Sequence, residues 1–206
     1  MAAPAIEAVV FDYGGVLSLP PFDALLPLEE ELGLPRGRLR DDLQHGIALA
    51  DAELGSRSAA ECFMGWLAGV EAEHGITIDP ARLFPALAGG TQANDVTLSL
   101  VDRLHGRYRL AILTNNIAEI ADHWRDLVGI DRFELVLDSH LLGIRKPAVE
   151  IYELLLRELG LEAAQVAFVD DTEPNVIAAA SLGIRAIHFT TDEALAASLA
   201  DLGVDV

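Results

Sequence analysis

The stretch AVVFDYGGVL (residues 8–17) decides the fold of this chain. Its apolar run between Glu7 and Asp12 carries no charge, which is typical of a strand buried on both faces. The strand delivers one carboxylate, Asp12, to its C-terminal end and then breaks at two glycines, Gly14 and Gly15. Ligands bind at that end of the central strands in open α/β sheets. Taken alone, the stretch is either such a ligand-binding strand end or a strand that ends in a solvated aspartate and a turn.

Composition restricts the classes of function. The chain has 206 residues, of which 51% are hydrophobic, and its 14 Lys+Arg against 33 Asp+Glu give a net charge of -19. Such a surface repels phosphate backbones and anionic membranes, so we expect no nucleic-acid or membrane partner. An anionic small substrate would need a local concentration of positive charge. The single cysteine, Cys62, excludes an internal disulfide, and no Cys/His spacing resembles a zinc site.

The same sequence shows no targeting signal. No basic segment precedes the first apolar strand, and no apolar run approaches the roughly 18 residues of a membrane span. We therefore expect a soluble cytoplasmic protein, and the sequence leaves both a monomer and a homodimer open.

Beyond residue 90, strand patterns alternate with helical ones. Strands are predicted over 109–113, 133–137, 165–169 and 185–189, with helices near 94–106, 117–128, 148–159 and 174–182 and from about 192. This alternation predicts right-handed crossovers and a parallel sheet with helices on both faces. The first strand has to join that sheet, because it would not be stable alone. We therefore predict an α/β fold with a five-stranded parallel, Rossmann-like sheet in the order 3-2-1-4-5.

Residues 18–90 have a helical pattern with no convincing strand. Helices are predicted over 22–32, from Pro35 to Leu49, from a capping box at Ser58 and Glu61 to Gly75, and from Asp79-Pro80 through Leu87 to Gly89-Gly90. We interpret Glu29-Glu30-Glu31 as a solvated helix face. The predicted domains are a core of residues 1–17 and 91–206 and an all-α cap of residues 18–90. Cap residues would set the substrate, and the polar or aromatic candidates are Asp23, His45, Asp51, Arg57 and Trp66.

Polar residues follow four of the predicted strands. They are Asp12, Thr114-Asn115-Asn116, Arg145-Lys146 and Asp170-Asp171. Each taken alone has a structural explanation, as a helix cap or as surface charge. Their joint occurrence favours a functional site, because the carboxyl ends of parallel strands share one edge of a sheet.

These residue types suit phosphoryl transfer through a covalent aspartyl intermediate, with Asp12 as the nucleophile. Mg²⁺ prefers oxygen ligands, for which Asp12, Asp171, Asp170 and the carbonyl of Gly14 are the candidates.

Three further residues are predicted to bind the phosphate. Thr114 and Asn115 can donate hydrogen bonds to phosphoryl oxygens. Lys146 supplies the positive charge that both substrate binding and catalysis need on such an acidic protein.

The motifs resemble those of the haloacid dehalogenase-like hydrolase superfamily over essentially the whole chain. The segments FDYGGVL (11–17), LTNN (113–116), RKP (145–147) and FVDDTEPN (168–175) look like its four motifs in order. The helical insertion is similar to the small α-helical cap of the phosphoglucomutase, dehalogenase and epoxide-hydrolase N-terminal-domain subgroup. The resemblance implies a Mg²⁺-dependent phosphatase of a small phosphorylated metabolite.

Gly14 departs from the family pattern. Phosphatases of the family usually carry an aspartate there as general acid/base, a group worth on the order of 10²–10⁴ in rate. The closest resemblance is to bacterial phosphatases with glycine at this position that act on sugar phosphates such as hexose 1-phosphates, whose leaving group needs less protonation. The other interpretations are a non-catalytic protein that binds a phosphorylated ligand or partner, and a 2-haloacid dehalogenase. His45 is a candidate substitute acid.

Overall fold

The computed structural model describes residues 4–20, 22–44, 48–83 and 92–206. Its sheet is parallel throughout, with five strands in the order β3-β2-β1-β4-β5. The strands are β1 (Ala8–Phe11), β2 (Arg109–Thr114), β3 (Leu135–Asp138), β4 (Val166–Asp170) and β5 (Arg185–His188). The predicted sheet and its strand order are confirmed, with β1 at the centre.

Besides the helical residues 80–83, the described residues form ten α-helices. They are α1 (Leu26–Glu31), α2 (Arg38–Gln44), α3 (Ala50–Glu53), α4 (Ala59–His74), α5 (Asp95–Leu104), α6 (Ala121–Val128), α7 (Ser139–Leu142), α8 (Val149–Leu159), α9 (Glu173–Ser181) and α10 (Asp192–Asp201). None of these described helices is both long and apolar enough to cross a membrane.

Strand β1 is buried on both faces, which explains its uninterrupted apolar sequence. Val9 and Phe11 belong to one core cluster, together with residues of α5, α6 and α10. Ala8 and Val10 belong to the cluster on the opposite face, together with residues of α8 and α9. The sheet is therefore the middle layer of three, and only its strand ends are available for a site.

The chain leaves the sheet and returns to it at one place. Ser18 and Ala93 form an isolated antiparallel bridge, the Asn94 N–H donates to the Leu17 carbonyl (2.9 Å), and the Leu19 N–H donates to the Gln92 carbonyl (2.8 Å). Between these points the described residues build a third apolar cluster of their own, from leucines of α1 and α2, Phe63, and other side chains of the helical segment. The division into a core of 1–17 and 91–206 and a cap of 18–90 stays a prediction.

The cap helices are shorter than predicted. The first is a 3-10 turn (Asp23–Leu25) that runs into α1, and the second starts at Arg38 rather than Pro35. Leu49 lies in a turn before the separate helix α3. His45, Leu87 and Gly89-Gly90 lie outside the described residues.

Helix α4 begins and ends as predicted. The Ser58 Oγ accepts from the Glu61 N–H (3.3 Å) and the Glu61 carboxylate accepts from the Ser58 N–H (3.2 Å). Gly75 ends the helix in the left-handed region, at φ 64°. Cys62 is a buried free thiol on this helix.

The interpretation of Glu29 as part of a solvated face was wrong. Glu29 is fully buried, and its carboxylate accepts from the backbone N–H groups of Gly37 (2.5 Å), Leu39 (2.7 Å) and Arg40 (2.9 Å). These donors lie at the start of α2, where the first N–H groups of a helix have no partner within the helix. Glu29 therefore caps α2 from another helix.

Candidate active site

Asp12 is the first residue beyond the central strand. It is 8% exposed, and its Oδ1 accepts from the N–H of Tyr13 at 2.7 Å. Strands β2 and β4 flank β1, so the residues that follow all three lie at one edge of the sheet. This edge is where the predicted site residues were expected to meet.

Lys146 places a buried cation against Asp12. Its Nζ lies 2.8 Å from Asp12 Oδ1 and 2.7 Å from Asp170 Oδ2, and the residue is 1% exposed. The Asn115 amide holds the Lys146 backbone, because Asn115 Oδ1 accepts from the Lys146 N–H (2.8 Å) and Nδ2 donates to the Lys146 carbonyl (3.0 Å). The Lys146–Pro147 peptide bond is cis. Lys146 is the only lysine of the chain, so the site contains its single ammonium side chain.

Asp170 is fully buried, and protein donors occupy both of its carboxylate oxygens. Oδ1 accepts from the Thr172 N–H (2.8 Å) and from Asn175 Nδ2 (3.0 Å), and Oδ2 accepts from Lys146 Nζ. The Tyr152 hydroxyl donates to the Asn175 carbonyl at 3.0 Å. Asp170 is thus built into the scaffold that holds Lys146.

Asp171 is less enclosed and points to the turn after β1. A Cβ built on Gly15 would fall 2.2 Å from Asp171 Oδ2, so only glycine permits this approach. Gly15 also has a φ of 78°, which favours glycine in its own right. Oxygen atoms of Asp12, Asp170 and Asp171 all lie within 4.8 Å of one another. Oxygen donors this close together fit a small divalent cation such as Mg²⁺.

The local charge balance is negative. Burial raises the pKa of Asp12 to about 8, Asp170 and Asp171 add to this rise, and Lys146 opposes it. Burial and Asp170 likewise raise the pKa of Asp171. Burial alone lowers the pKa of Lys146, but Asp12 and Asp170 raise it above its ordinary value. With one ammonium among three carboxylates, a bound cation would favour their ionised forms.

Gly14 is not crowded by the described residues. Its φ of −68° and ψ of 122° suit any residue, and a Cβ there would meet no heavy atom of the described residues within 4 Å, its two chain neighbours aside. The described residues therefore leave room for a side chain at the position where the family pattern has an acid. Its predicted role as a carbonyl ligand stays a prediction.

Besides Lys146, the predicted phosphate-binding residues are Thr114 and Asn115, whose side chains already have contacts within the protein. Thr114 is 1% exposed, and its Oγ1 lies 3.4 Å from the Asn115 carbonyl, a weak contact. The Asn115 side chain is already bonded to the Lys146 backbone. Substrate contacts from these residues stay predictions.

Two contacts between the helical segment and the site were missed. Gln44 Nε2 donates to Asp171 Oδ2 at 2.7 Å, and Glu53 Oε2 lies 2.8 Å from Arg145 Nε. The Glu53–Arg145 pair is an ion pair without hydrogen-bond geometry. Burial raises the pKa of Glu53, while Arg145 and Lys146 lower it. A single amide at the end of a helix gave no signal in the sequence, since its partner is distant along the chain.

The sequence of this chain is similar to those of known hydrolases. A family model described as haloacid dehalogenase-like hydrolase matches residues 6–183. A sesquiterpene phosphatase of Aspergillus oryzae is 29% identical over 95% of this chain and 96% of its own length.

Solved structures share the fold. A HAD family enzyme of Bacteroides thetaiotaomicron, in complex with magnesium and inorganic phosphate, has a TM-score of 0.62 at 20% identity over 90% of this chain and 95% of that one. The L-2-haloacid dehalogenase of Xanthobacter autotrophicus has a TM-score of 0.65 at 22% identity over 95% and 83% of the two chains. At these identities the likeness shows the architecture alone.

Proposed function

The chain belongs to the haloacid dehalogenase-like hydrolase family, and from that premise we propose that it is a Mg²⁺-dependent phosphatase of small organic phosphates. The observation that carries the proposal is the buried contact between Lys146 and Asp12 beside a second carboxylate, Asp171. This arrangement supports the proposal, because Asp12 as nucleophile, the Lys146 ammonium and a cation held by Asp12 and Asp171 would all lie within a few ångströms of each other.

Asp12 is the proposed nucleophile. Its Oδ1 is held by the Tyr13 N–H and by Lys146, whereas no donor from the described residues contacts Oδ2. In the first step a bond forms between an Asp12 oxygen and phosphorus, and the bond from phosphorus to the leaving oxygen breaks. In the second step water attacks the phosphorus, releasing inorganic phosphate and restoring the carboxylate.

Lys146 is proposed to offset charge during both steps. Attack by a carboxylate on an anionic phosphoryl group is opposed by repulsion, and a buried ammonium reduces this repulsion more strongly than it would in water. Asn115 and Asp170 position the ammonium, since they hold its backbone and its tip respectively.

Asp12 and Asp171 are the proposed carboxylate ligands of Mg²⁺. Asp170 has both oxygens bonded to protein donors, whereas Asp171 has a single donor, Gln44, closer than 3 Å in the described residues. When bound, Mg²⁺ would screen the charge of Asp12 and of the phosphoryl oxygens.

The leaving group is proposed to need little protonation, because Gly14 supplies no acid. A hexose 1-phosphate fits this requirement, since an anomeric hydroxyl is more acidic than an ordinary alcohol. The phosphatase relative from Aspergillus supports phosphate ester chemistry but does not fix the substrate.

The test is phosphate release from a panel of phosphomonoesters, with Mg²⁺ and with EDTA. We expect release with p-nitrophenyl phosphate and Mg²⁺, loss of release in EDTA, and loss in Asp12→Asn. Asp201→Asn, an exposed aspartate at the end of α10, is the matched control. Activity that persists in Asp12→Asn would overturn the proposal.

Two other results would favour the alternatives. Halide release from 2-haloacids that survives EDTA would favour a dehalogenase. Thermal stabilisation by phosphate esters without turnover of any of them would favour a non-catalytic binding protein.

A further inference from the structure

One side chain of the helical segment contacts the acidic cluster directly. Gln44, the last residue of α2, is half-buried, and its Nε2 donates to Asp171 Oδ2 at 2.7 Å. The orientation of this amide is fixed chemically, because a carboxylate accepts and only the nitrogen of the amide donates. The Gln44 carbonyl oxygen is therefore directed away from Asp171.

That carbonyl oxygen is available as an acceptor. Within residues 4–20, 22–44, 48–83 and 92–206, no N–H or O–H group donates to Gln44 Oε1. An amide oxygen can accept two hydrogen bonds, and a bound substrate that displaces water from it without offering a donor is disfavoured. A substrate hydroxyl would satisfy it.

Gln44 also lies beside the place where the general acid is missing. Gln44 donates to Asp171 Oδ2, and a Cβ built on Gly15 would fall 2.2 Å from that same oxygen. Asp171 Oδ2 therefore lies between the Gln44 amide and the turn at Gly14 and Gly15. In the described ranges, only the two chain neighbours of Gly14 lie within 4 Å of a Cβ built on it. The described residues therefore leave space beside Gly14 for a leaving group attached to a phosphate at Asp12.

The charges around the space select the kind of leaving group. With Mg²⁺ bound, that ion and the ammonium of Lys146 balance Asp12, Asp170 and Asp171, so no cation of the cluster remains to pair with a further anion on the leaving group, and the phosphoryl group would repel it. An apolar leaving group would leave the Gln44 oxygen without a donor. A neutral group that carries hydroxyls avoids both penalties.

We propose that Gln44 binds the leaving group of the substrate, accepting a hydrogen bond from a hydroxyl, and so selects neutral polyhydroxylated phosphates over apolar or anionic ones. This deepens the proposed function and rests on it. Gln44 is thus a specificity residue contributed by the helical segment. It does not act as the general acid that is missing at Gly14.

The kinetic test compares Gln44→Ala and the near-isosteric Gln44→Met with wild type. The substrates are glucose 1-phosphate, which carries hydroxyls, p-nitrophenyl phosphate, which carries none, and farnesyl phosphate, which is apolar. Loss of the bond to Asp171 affects every ester alike, so for both variants we expect kcat/KM on glucose 1-phosphate to fall about tenfold further than kcat/KM on p-nitrophenyl phosphate, as expected for one lost hydrogen bond to the leaving group. Gln165→Ala is the matched control, since Gln165 lies at the opposite edge of the sheet.

A binding measurement separates recognition from turnover. In an Asp12→Asn background, isothermal titration calorimetry with glucose 1-phosphate should show a dissociation constant raised about tenfold by Gln44→Ala, while that of inorganic phosphate stays the same. The apo proteins are compared by thermal unfolding, which verifies that the variants fold.

The outcomes are distinct. Lack of hydrolysis of every ester by folded wild type would contradict the proposed function, whereas the calorimetric comparison would still report on Gln44. Equal losses on all three esters, or wild-type preference for farnesyl phosphate, would overturn the role of Gln44 and leave the phosphatase proposal intact. Failure of Gln44→Ala to fold would leave Gln44→Met to decide.

Discussion

The ammonium of Lys146 lies 2.8 Å from the Asp12 carboxylate, and both side chains are buried at the end of the central strand. The same ammonium contacts Asp170, which follows the neighbouring strand. One buried ammonium therefore contacts carboxylates that follow two neighbouring strands. The same contact should affect both the free energy of unfolding and the proposed catalysis, because a change to either residue leaves the other without its partner.

Lys146→Met tests this connection. The substitution keeps the length of the side chain but leaves two buried carboxylates without their cation, so the free energy of unfolding should fall by about 3–5 kcal/mol. Urea denaturation without metal measures it. Mg²⁺ should restore part of the loss, since a ligand that binds only the folded state stabilises it.

The matched control for Lys146→Met is Arg157→Met. Arg157 is exposed on α8, so its loss should change the free energy of unfolding by less than about 0.5 kcal/mol. Equal urea midpoints for Lys146→Met and wild type would show that the ammonium does not stabilise the cluster.

Asp12 should make the metal-free protein less stable as the pH rises. Its folded pKa of about 8 lies above the ordinary value of 3.8, so protonated Asp12 favours the folded state. This contribution is complete below about pH 4 and is lost as the pH rises through about 8. In EDTA, the melting temperature of Asp12→Asn minus that of wild type should therefore increase as the pH rises from about 5 to about 9.

Calorimetric scans in matched buffers measure this difference, with Asp201→Asn as the reference for removal of an exposed carboxylate. A difference in melting temperature that stays constant with pH would contradict a raised pKa at Asp12. A difference that shrinks on addition of Mg²⁺ would support metal binding at the same carboxylate, because the ion stabilises the ionised form.

The sheet and the strand-end residues were predictable because both follow from local patterns. Apolar runs indicate buried strands, and parallel strands end at one edge of the sheet. The sequence alone therefore predicts that Asp12, Lys146 and Asp170 lie close together. The expectation that an acidic chain needs local positive charge pointed to Lys146, and the structure buries this ammonium against Asp12. Its role toward a substrate stays a prediction.

The missed features depend on how one segment packs on another. Glu29 looks like its exposed neighbour Glu30 in the sequence, yet the start of α2 happens to pack against it and supplies three N–H donors. Gln44 meets Asp171, which is 127 residues away along the chain. No local pattern carries information on such pairings.

The ion pair between Glu53 and Arg145 should couple the helical segment to the sheet. Their side chains are 10% and 21% exposed, and Glu53→Ala leaves the guanidinium without its partner. We expect the free energy of unfolding to fall by about 1–3 kcal/mol, and a double-mutant cycle with Arg145→Ala should recover a coupling energy. The exposed pair of Arg57 and Asp51, 3.7 Å apart, is the control and should contribute about 0–1 kcal/mol. Equal coupling in both pairs would contradict the structural role of Glu53.

Gly14→Asp should supply the missing acid. The backbone at Gly14 (φ −68°, ψ 122°) accepts any residue, and a Cβ there clashes with none of the residues that the structure describes. Turnover of esters with poor leaving groups, such as glycerol phosphates, should rise by on the order of 10²-fold, because a positioned carboxyl can protonate the departing oxygen. Turnover of p-nitrophenyl phosphate should change little, since its leaving group needs no proton.

Gly14→Ala controls for the added Cβ and should behave as wild type, whereas Gly15→Ala should abolish activity by displacing Asp171. A Gly14→Asp variant that folds but gains nothing on glycerol phosphates would show that protonation does not limit this enzyme.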